Sequence, residues 1–178
     1  QQRPHTCTPT VSLLVSNHID TVQKCLESLQ PLLQAVTSEL IVVDTVGEAD
    51  SDGSLAVAKR YADQIVHFDW CGDFAAARNA GLRPAHGEWF LYLDDDEWFE
   101  DVSPLVAFFN DAQEREQYHS LYYTQRNYQN REATAYNDFL VYRAARLFTR
   151  TEFRGKVHEN LWPRVNPLKR VPAFVHHY

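Results

Sequence analysis

Residues 88–100, EWFLYLDDDEWFE, join a short apolar run to four consecutive acids, Asp94, Asp95, Asp96 and Glu97. An apolar run of that length reads as an interior strand, residues 89–93, with the acids at its C-terminal tip. In an open α/β sheet, ligands bind beyond that end of the strands. Side chains alternate along extended chain, which puts Asp94 and Asp96 on one face and Asp95 on the other. Two carboxylates on one face could hold a hard divalent cation, its shell completed by substrate phosphate oxygens. An isolated acidic cluster is more often a solvated turn, so the assignment needs company. Two other apolar runs supply it. Residues 10–16 end at Ser16 and Asn17, and residues 39–44 end at Asp44. Parallel neighbours would bring the three tips to one sheet edge.

The remaining chemistry-bearing residues say less one at a time. Asp44 could accept from a ribose hydroxyl or a base N–H, or cap its own loop. Arg78, about one turn into a helix that starts at Phe74, is an anion partner or one half of a surface ion pair. His158–Glu159 could be a general base with its orienting group, a metal ligand pair, or structural. His176–His177 could supply a neutral imidazole to a divalent metal. Neither GxGxxG nor GxxxxGK[ST] occurs, so phosphates would be held by a metal and side chains rather than by a Gly-rich cradle.

These groups need elements to position them. After a loose lead-in over residues 1–9, strands are expected at 10–16, 39–44, 64–68 and 89–93, with a helix between each pair. Asp20, with Gln23 three residues on, reads as the cap of the first helix, which Pro31 should end or kink. Ser54 caps the second helix, Asp73 the third, and Ser103 with Pro104 opens a fourth. Short connections between alternating strands and helices predict a parallel sheet with right-handed crossovers. Residues 119–124 and 140–148 read as further strands flanking a polar, hairpin-like or mobile loop, 125–138.

The 178 residues suit a single domain, and 44% hydrophobic content argues against disorder. No apolar run is long enough to span a membrane, though peripheral association stays open. A net charge of −7 provides no basic field for nucleic acid. Cys7, Cys25 and Cys71 form no CxxC pair, which favours a reducing, cytoplasmic setting, at most against the inner face of the membrane. The absence of Met and the abrupt AFVHHY end suggest a piece of a longer protein, truncated at the C-terminus.

Taken in order, TVSLLVSNHIDTVQKCLESL, ELIVVDT, DFAAARNAGL, GEWFLYLDDDEWF and RLFTRTEFRGKVHENL resemble glycosyltransferase family 2. More narrowly they are similar to bacterial cytosolic members with an LDxDE motif, here residues 93–97, and a later HE pair, here His158–Glu159. The resemblance covers nearly all of residues 10–178, read as one domain. It implies a GT-A fold: a Rossmann-like, mostly parallel α/β sheet flanked by helices, with a smaller antiparallel acceptor-side part. It also implies inverting transfer of a sugar from a nucleoside-diphosphate sugar, a UDP-sugar first, to an acceptor hydroxyl with Mn²⁺ or Mg²⁺. By position, Asp44 would contact the nucleobase, Arg78 the nucleotide, and Asp94 the ribose region and metal. Asp96 would ligate the metal, and His177 of a late His-Tyr pair would reach it. Ser16, Asn17, Asp52, Asp73 and Asp95 complete the expected nucleotide-sugar set. Glu159, beside His158, is the expected base, with Asp138 in reserve.

Two departures accompany the likeness. The loop after Asp44 is longer than the DxGSxD form, which leaves the role of Asp50 or Asp52 open, and the chain stops where relatives continue. The acceptor could be a glycan, a peptide or an envelope polymer. A nucleotide-sugar binding module without turnover, or a nucleotidyltransferase of related fold, are the competing readings. The latter usually carries a basic, Gly-rich loop after the first strand, which SNHIDT is not.

Overall fold

The computed structural model describes residues 5–156 and 158–178. The first half alternates β1 (Cys7–Val15), α1 (Ile19–Ala35), β2 (Glu39–Asp44), α2 (Ser54–Lys59), β3 (Gln64–His67), α3 (Phe74–Leu82) and β4 (Gly87–Asp94). The second half runs β5 (Glu97–Phe99), α4 (Ser103–Phe109), α5 (Ala112–Gln117), β6 (Ser120–Tyr128), β7 (Tyr136–Arg146), β8 (Glu152–Arg154), β9 (Asn160–Trp162) and β10 (Leu168–His177).

Among the described residues, eight strands form one sheet in the order β3-β2-β1-β4-β7-β6-β10-β5, and β8 pairs with β9 apart from it. β3, β2, β1 and β4 run parallel. β7 is antiparallel to β4 and β6, and β10 is parallel to β6 and antiparallel to β5.

β4 explains the architecture. Both of its faces are covered, which is why it reads as an unbroken apolar run. Trp89, Leu91 and Leu93 join the larger core with Val22, Leu26 and Leu29 of α1 and Leu105 and Phe109 of α4. Phe90 and Tyr92 face the other side and pack with Ala75 and Leu82 of α3, Phe153 of β8 and Leu161 of β9. Helix α3 sits unusually close to the sheet at Gly81, where a Cβ would stand 2.5 Å from Ser12 Oγ and 2.7 Å from Val43 Cγ2. That contact fixes the depth of Arg78, one turn earlier on the same helix.

Several boundaries differ from the sequence reading. β1 begins at Cys7, inside the expected lead-in, where the Thr8 amide donates to Thr37 O at 2.8 Å. Helix α1 continues through Pro31 to Ala35, with Leu29 and Leu32 fully buried. An interior proline costs about 3 kcal/mol, and burial of two leucines is of the same order. Asp20 is not the cap; it lies in the first turn, and His18 occupies the N-cap position. The capping group comes from across the chain, since Asp52 Oδ2 accepts from Ile19 N at 3.1 Å. Likewise Ser54 is the first helical residue of α2, and the Asp52 carboxylate accepts from its amide at 3.0 Å. Helix α4 is shifted by one residue, with Val102 at the N-cap position and Asp101 accepting from Ser103 N. The polar stretch 125–138 is largely strand, because β6 and β7 continue as a hairpin pairing Tyr128 with Tyr136. Helix α5, β5 and the β8–β9 hairpin were not anticipated.

Candidate active site

The tips of β2, β1 and β4 lie side by side, with Val15 opposite Asp44 and Leu14 opposite Asp94. Backbone bonds lace them: Thr45 N donates to Val15 O at 3.0 Å and Asp95 N to Leu14 O at 3.2 Å. The chain turns at Asp95 and Asp96, so strand alternation does not extend across all three aspartates.

Each acid then has its own partner. Asp95 is 2% exposed and accepts from Ser16 N at 2.9 Å, with His18 Nδ1 at 2.7 Å from its other oxygen. Burial pushes its carboxyl up to about 6, against the pull of Ser16 N–H and His18. Asp94 accepts from Arg78 Nη2 at 2.8 Å. Burial opposes its ionisation, but the Arg78 and Arg143 charges hold it below the usual carboxylate range. Asp96 Oδ2 lies 3.0 Å from His177 Nε2 and 3.9 Å from His18 Nε2. The bond to Asp96 raises the His177 pKa. Glu97 is fully buried: Arg143 donates to both oxygens at 2.7 and 3.1 Å, Gln125 donates at 2.6 Å, and Asp94 N at 3.0 Å. That last bond closes the turn that carries the aspartates.

Asp96 and His177 offer one carboxylate oxygen and one imidazole nitrogen, a pair that suits Mn²⁺ or Mg²⁺. Among the described residues no three His, Cys, Asp or Glu side chains are grouped to hold a metal by themselves. Diphosphate oxygens and water would have to fill the other positions, which is how Mg²⁺ is commonly bound beside a nucleotide.

Asp94 borders two clefts. The first, about 570 Å³, is lined by Ser16, His18, Thr45, Val46, Trp70 and Phe74 as well as the three aspartates. Asp44 anchors its wall: Oδ1 accepts from Val46 N and Gly47 N, both at 3.0 Å, and His67 Nδ1 is 3.1 Å from Oδ2. Burial opposes ionisation of Asp44, but those amides and His67 bring it below its ordinary value. Trp70 and Phe74 meet edge to face at 4.8 Å and stay 46% and 37% exposed, an aromatic surface in a polar wall.

The second cleft, about 320 Å³, is lined by Arg78, Tyr92, Tyr142, Arg143 and Glu159 beyond Asp94. Arg78 is clamped between carboxylates, with Nη2 on Asp94 and Nε donating to Glu159 Oε1 at 2.9 Å. Tyr92 lies between the Arg78 and Arg143 guanidiniums, 4.8 and 5.2 Å from its ring centroid, and its hydroxyl donates to Tyr142 O. Glu159 reaches this place because the β8–β9 hairpin docks on α3. Asn79 accepts from Phe153 N at 2.7 Å and donates to Phe153 O at 3.1 Å, and Phe74 N donates to Lys156 O. The hairpin turn uses Gly155 at φ +98°, where a Cβ would come within 2.9 Å of His158 O. His158 itself is exposed.

The other expected site residues are placed as follows. Asn17 is bonded to the loop after β2, donating to Asp50 O at 3.2 Å and accepting from Asp52 N at 2.9 Å. Asp52 caps α1 and α2, and with Asp96 it borders a third hollow beside Lys24 and Arg131. Asp73 caps α3 through Ala76 N. Asp138 forms a two-pronged pair with Arg126 at 2.9 and 3.1 Å and lines neither of the two clefts at Asp94. The late histidines diverge: His176 stacks between Trp98 and Tyr128, while His177 reaches Asp96.

Against known families, residues 11–164 match the pattern of Glycosyl transferase family 2. The chain belongs to glycosyl transferase family 2. A TPR repeat-containing protein of Synechococcus elongatus is 34% identical over 88 residues, 49% of this chain and 20% of that protein. A putative glycosyltransferase of Bacillus subtilis, EpsH, is 34% identical over 100 residues, 52% of this chain and 28% of its own length. The chain thus spans well under two thirds of the length of these two relatives. Among solved structures, S. aureus TarS 1–349 in complex with UDP-GlcNAc superposes with a TM-score of 0.54 at 20% identity, covering 70% of this chain and 36% of that one. Glucosyl-3-phosphoglycerate synthase of Mycobacterium tuberculosis, with Mn²⁺ and UDP, gives 0.53 at 18% identity, covering 67% and 44%. These likenesses show the fold: an α/β, GT-A-type domain built on a mostly parallel central sheet.

For this family 2 domain, sequence reasoning missed His18, Trp70, Phe74, Tyr92 and Arg143. Two of them carried a signal. Trp70 is a large aromatic in a polar turn, and Arg143 a cation inside an apolar run.

Proposed function

We propose that this domain catalyses inverting transfer of a sugar from a nucleoside-diphosphate sugar, a UDP-sugar first, to an acceptor hydroxyl. The observation that carries this reading is the Arg78 clamp. It joins Asp94, at the edge of the aromatic-walled cleft, to Glu159 in the neighbouring cleft. The nucleoside lies against Trp70 and Phe74, with the Asp44 loop reading the base. Asp96 and His177 would hold Mn²⁺ or Mg²⁺, which would supply Lewis-acid stabilisation of charge on the departing diphosphate. Glu159 takes the proton of the acceptor hydroxyl. The new C–O bond forms at the anomeric carbon as the bond to the diphosphate breaks, on the opposite face. Arg78 orients Glu159 and Asp94 together. UDP-GlcNAc and UDP with Mn²⁺ in the two solved relatives agree with this donor and metal class.

The acceptor is a glycan, a peptide or an envelope polymer. The unpaired cysteines support a cytoplasmic setting, at most against the inner membrane face. No helix among the described residues is long and apolar enough to cross a membrane.

Calorimetric titration with UDP, GDP, CDP and dTDP, with and without Mn²⁺, tests the donor assignment. UDP should bind only with metal, and Asp96→Ala should abolish that binding without unfolding the chain. If no nucleotide binds under either condition, the reading fails.

A further inference from the structure

The second cleft holds a cation that the transfer chemistry above leaves unused. Arg164 lines it from the segment between Pro163 and Pro167, with its guanidinium 4.6 Å over the ring of Tyr142. That segment is fastened to the start of β6. Val165 O accepts from Ser120 Oγ at 2.9 Å, and Pro167 O accepts from His119 N at 3.0 Å. The other two guanidiniums in the cleft are already matched, Arg78 by Asp94 and Glu159, and Arg143 by Glu97. Among the described residues no carboxylate forms an ion pair with Arg164. In a chain of net charge −7, an exposed guanidinium in a cleft beside Glu159 is a ready partner for an anion from outside.

The cleft also continues past Arg164 and Tyr142. An adjoining hollow of about 280 Å³ is lined by Tyr122, Leu140 and Leu168 with the same Tyr142 and Arg164. Leu140 is 55% and Leu168 36% exposed, so this floor is apolar and open. Aromatic faces of this kind take the apolar faces of sugar rings. We propose that Arg164 and Tyr142 form an acceptor subsite for a glycan bearing a negative charge, either a phosphate or a carboxylate. The guanidinium forks onto the anion, and the ring lies along the tyrosine floor leading to Glu159. The assignment of this cleft to the acceptor rests on the reading of Glu159 as the base.

Saturation-transfer NMR with glucose 6-phosphate, glucuronate and glucose, in the presence and absence of UDP and Mg²⁺, tests the proposal. The two anionic sugars separate phosphate from carboxylate as the recognised group. At least one should bind more tightly than glucose, and Arg164→Ala should weaken it by about tenfold, the loss expected of one charge-assisted fork. Arg150→Ala, which removes the same charge from a turn outside the cleft, should leave that binding unchanged. Equal binding by wild type and Arg164→Ala, or glucose binding as well as its charged counterparts, overturns the proposal. So does an Arg164→Ala protein whose UDP affinity falls in place of its sugar affinity. Failure of UDP to bind at all would sink the donor assignment, and the titrations without UDP would still read the Arg164 subsite.

Discussion

The two clefts that share Asp94 are built by different means. The aromatic-walled cleft is made at the tips of parallel neighbours, from residues on strand ends and the turns just after them: Ser16, Thr45, Val46 and the aspartates at 94–96. Its walls are held by amide-to-carboxylate bonds such as Gly47 N to Asp44 and Ser16 N to Asp95. The Glu159 cleft is assembled from groups far apart in sequence on mixed strands and a detached hairpin. Guanidinium–carboxylate pairs hold it together, Arg78 with Asp94 and Glu159, and Arg143 with Glu97. Asp44 and Asp95 each take bonds from more than one donor, so losing one bond leaves another, whereas a buried ion pair that loses its cation leaves an uncompensated charge. The transfer side should therefore be the brittle side of the site.

The largest effect expected on that contrast is kinetic. Glu159→Gln should lower turnover by roughly 10²–10⁴-fold, the usual weight of a general base, with donor affinity unchanged in calorimetry. Turnover that survives the change would move the base elsewhere, with Asp138 the next residue to replace. For stability, Arg143→Ala strands a fully buried Glu97 and should cost about 3–5 kcal/mol. In a chain of this size that is a fall in Tm of about 10 °C. Arg126→Ala breaks an equally well-formed pair with Asp138 at an exposed site, and should cost about 1 kcal/mol or less. Thermal denaturation of both variants decides whether burial sets the difference; equal losses would show that it does not.

On the nucleotide side, Trp70→Ala should weaken UDP by about 1–3 kcal/mol, the usual value of one stacking face, and leave folding intact. An unchanged UDP affinity would place the base elsewhere. The smallest effect concerns Asp44. Its carboxyl is held below its ordinary value, so its stabilisation is complete above the unfolded pKa, about 3.9, and is lost as pH falls through the lower folded value. Urea midpoints at pH 6 and pH 3 should drop further for wild type than for Asp44→Asn. Parallel drops would show that the Asp44 loop gains nothing from the charge.

Legibility in the sequence followed the same division. The four parallel strands, helix α3 and its Asp73 cap, and the meeting of the 16, 44 and 94 tips could be read from apolar runs and turn residues. Their cause is local: each interior strand must bury both faces and each helix one, so period and punctuation mark them. The hairpin ends of β6 and β7 within 125–138 are not legible because a hairpin with both faces near solvent carries polar residues on both. The cap of α1 was misread at Asp20 because the group that accepts from Ile19 N is Asp52, from a loop folded back across the helix start. Arg78 could be singled out, but not its clamp, since one partner is 81 residues away.

By itself the sequence determined the alternating half of the sheet, the acids at its edge and membership of a family through the motifs that carry them. These depend on residue types a few positions apart. Tertiary structure alone decided which partner each acid takes. Asp95 turned inward to Ser16, Asp94 paired with Arg78, Asp96 with His177, and Glu97 was buried under Arg143. Adjacent carboxylates are chemically alike, and only the charges and donors folded around each of them set them apart.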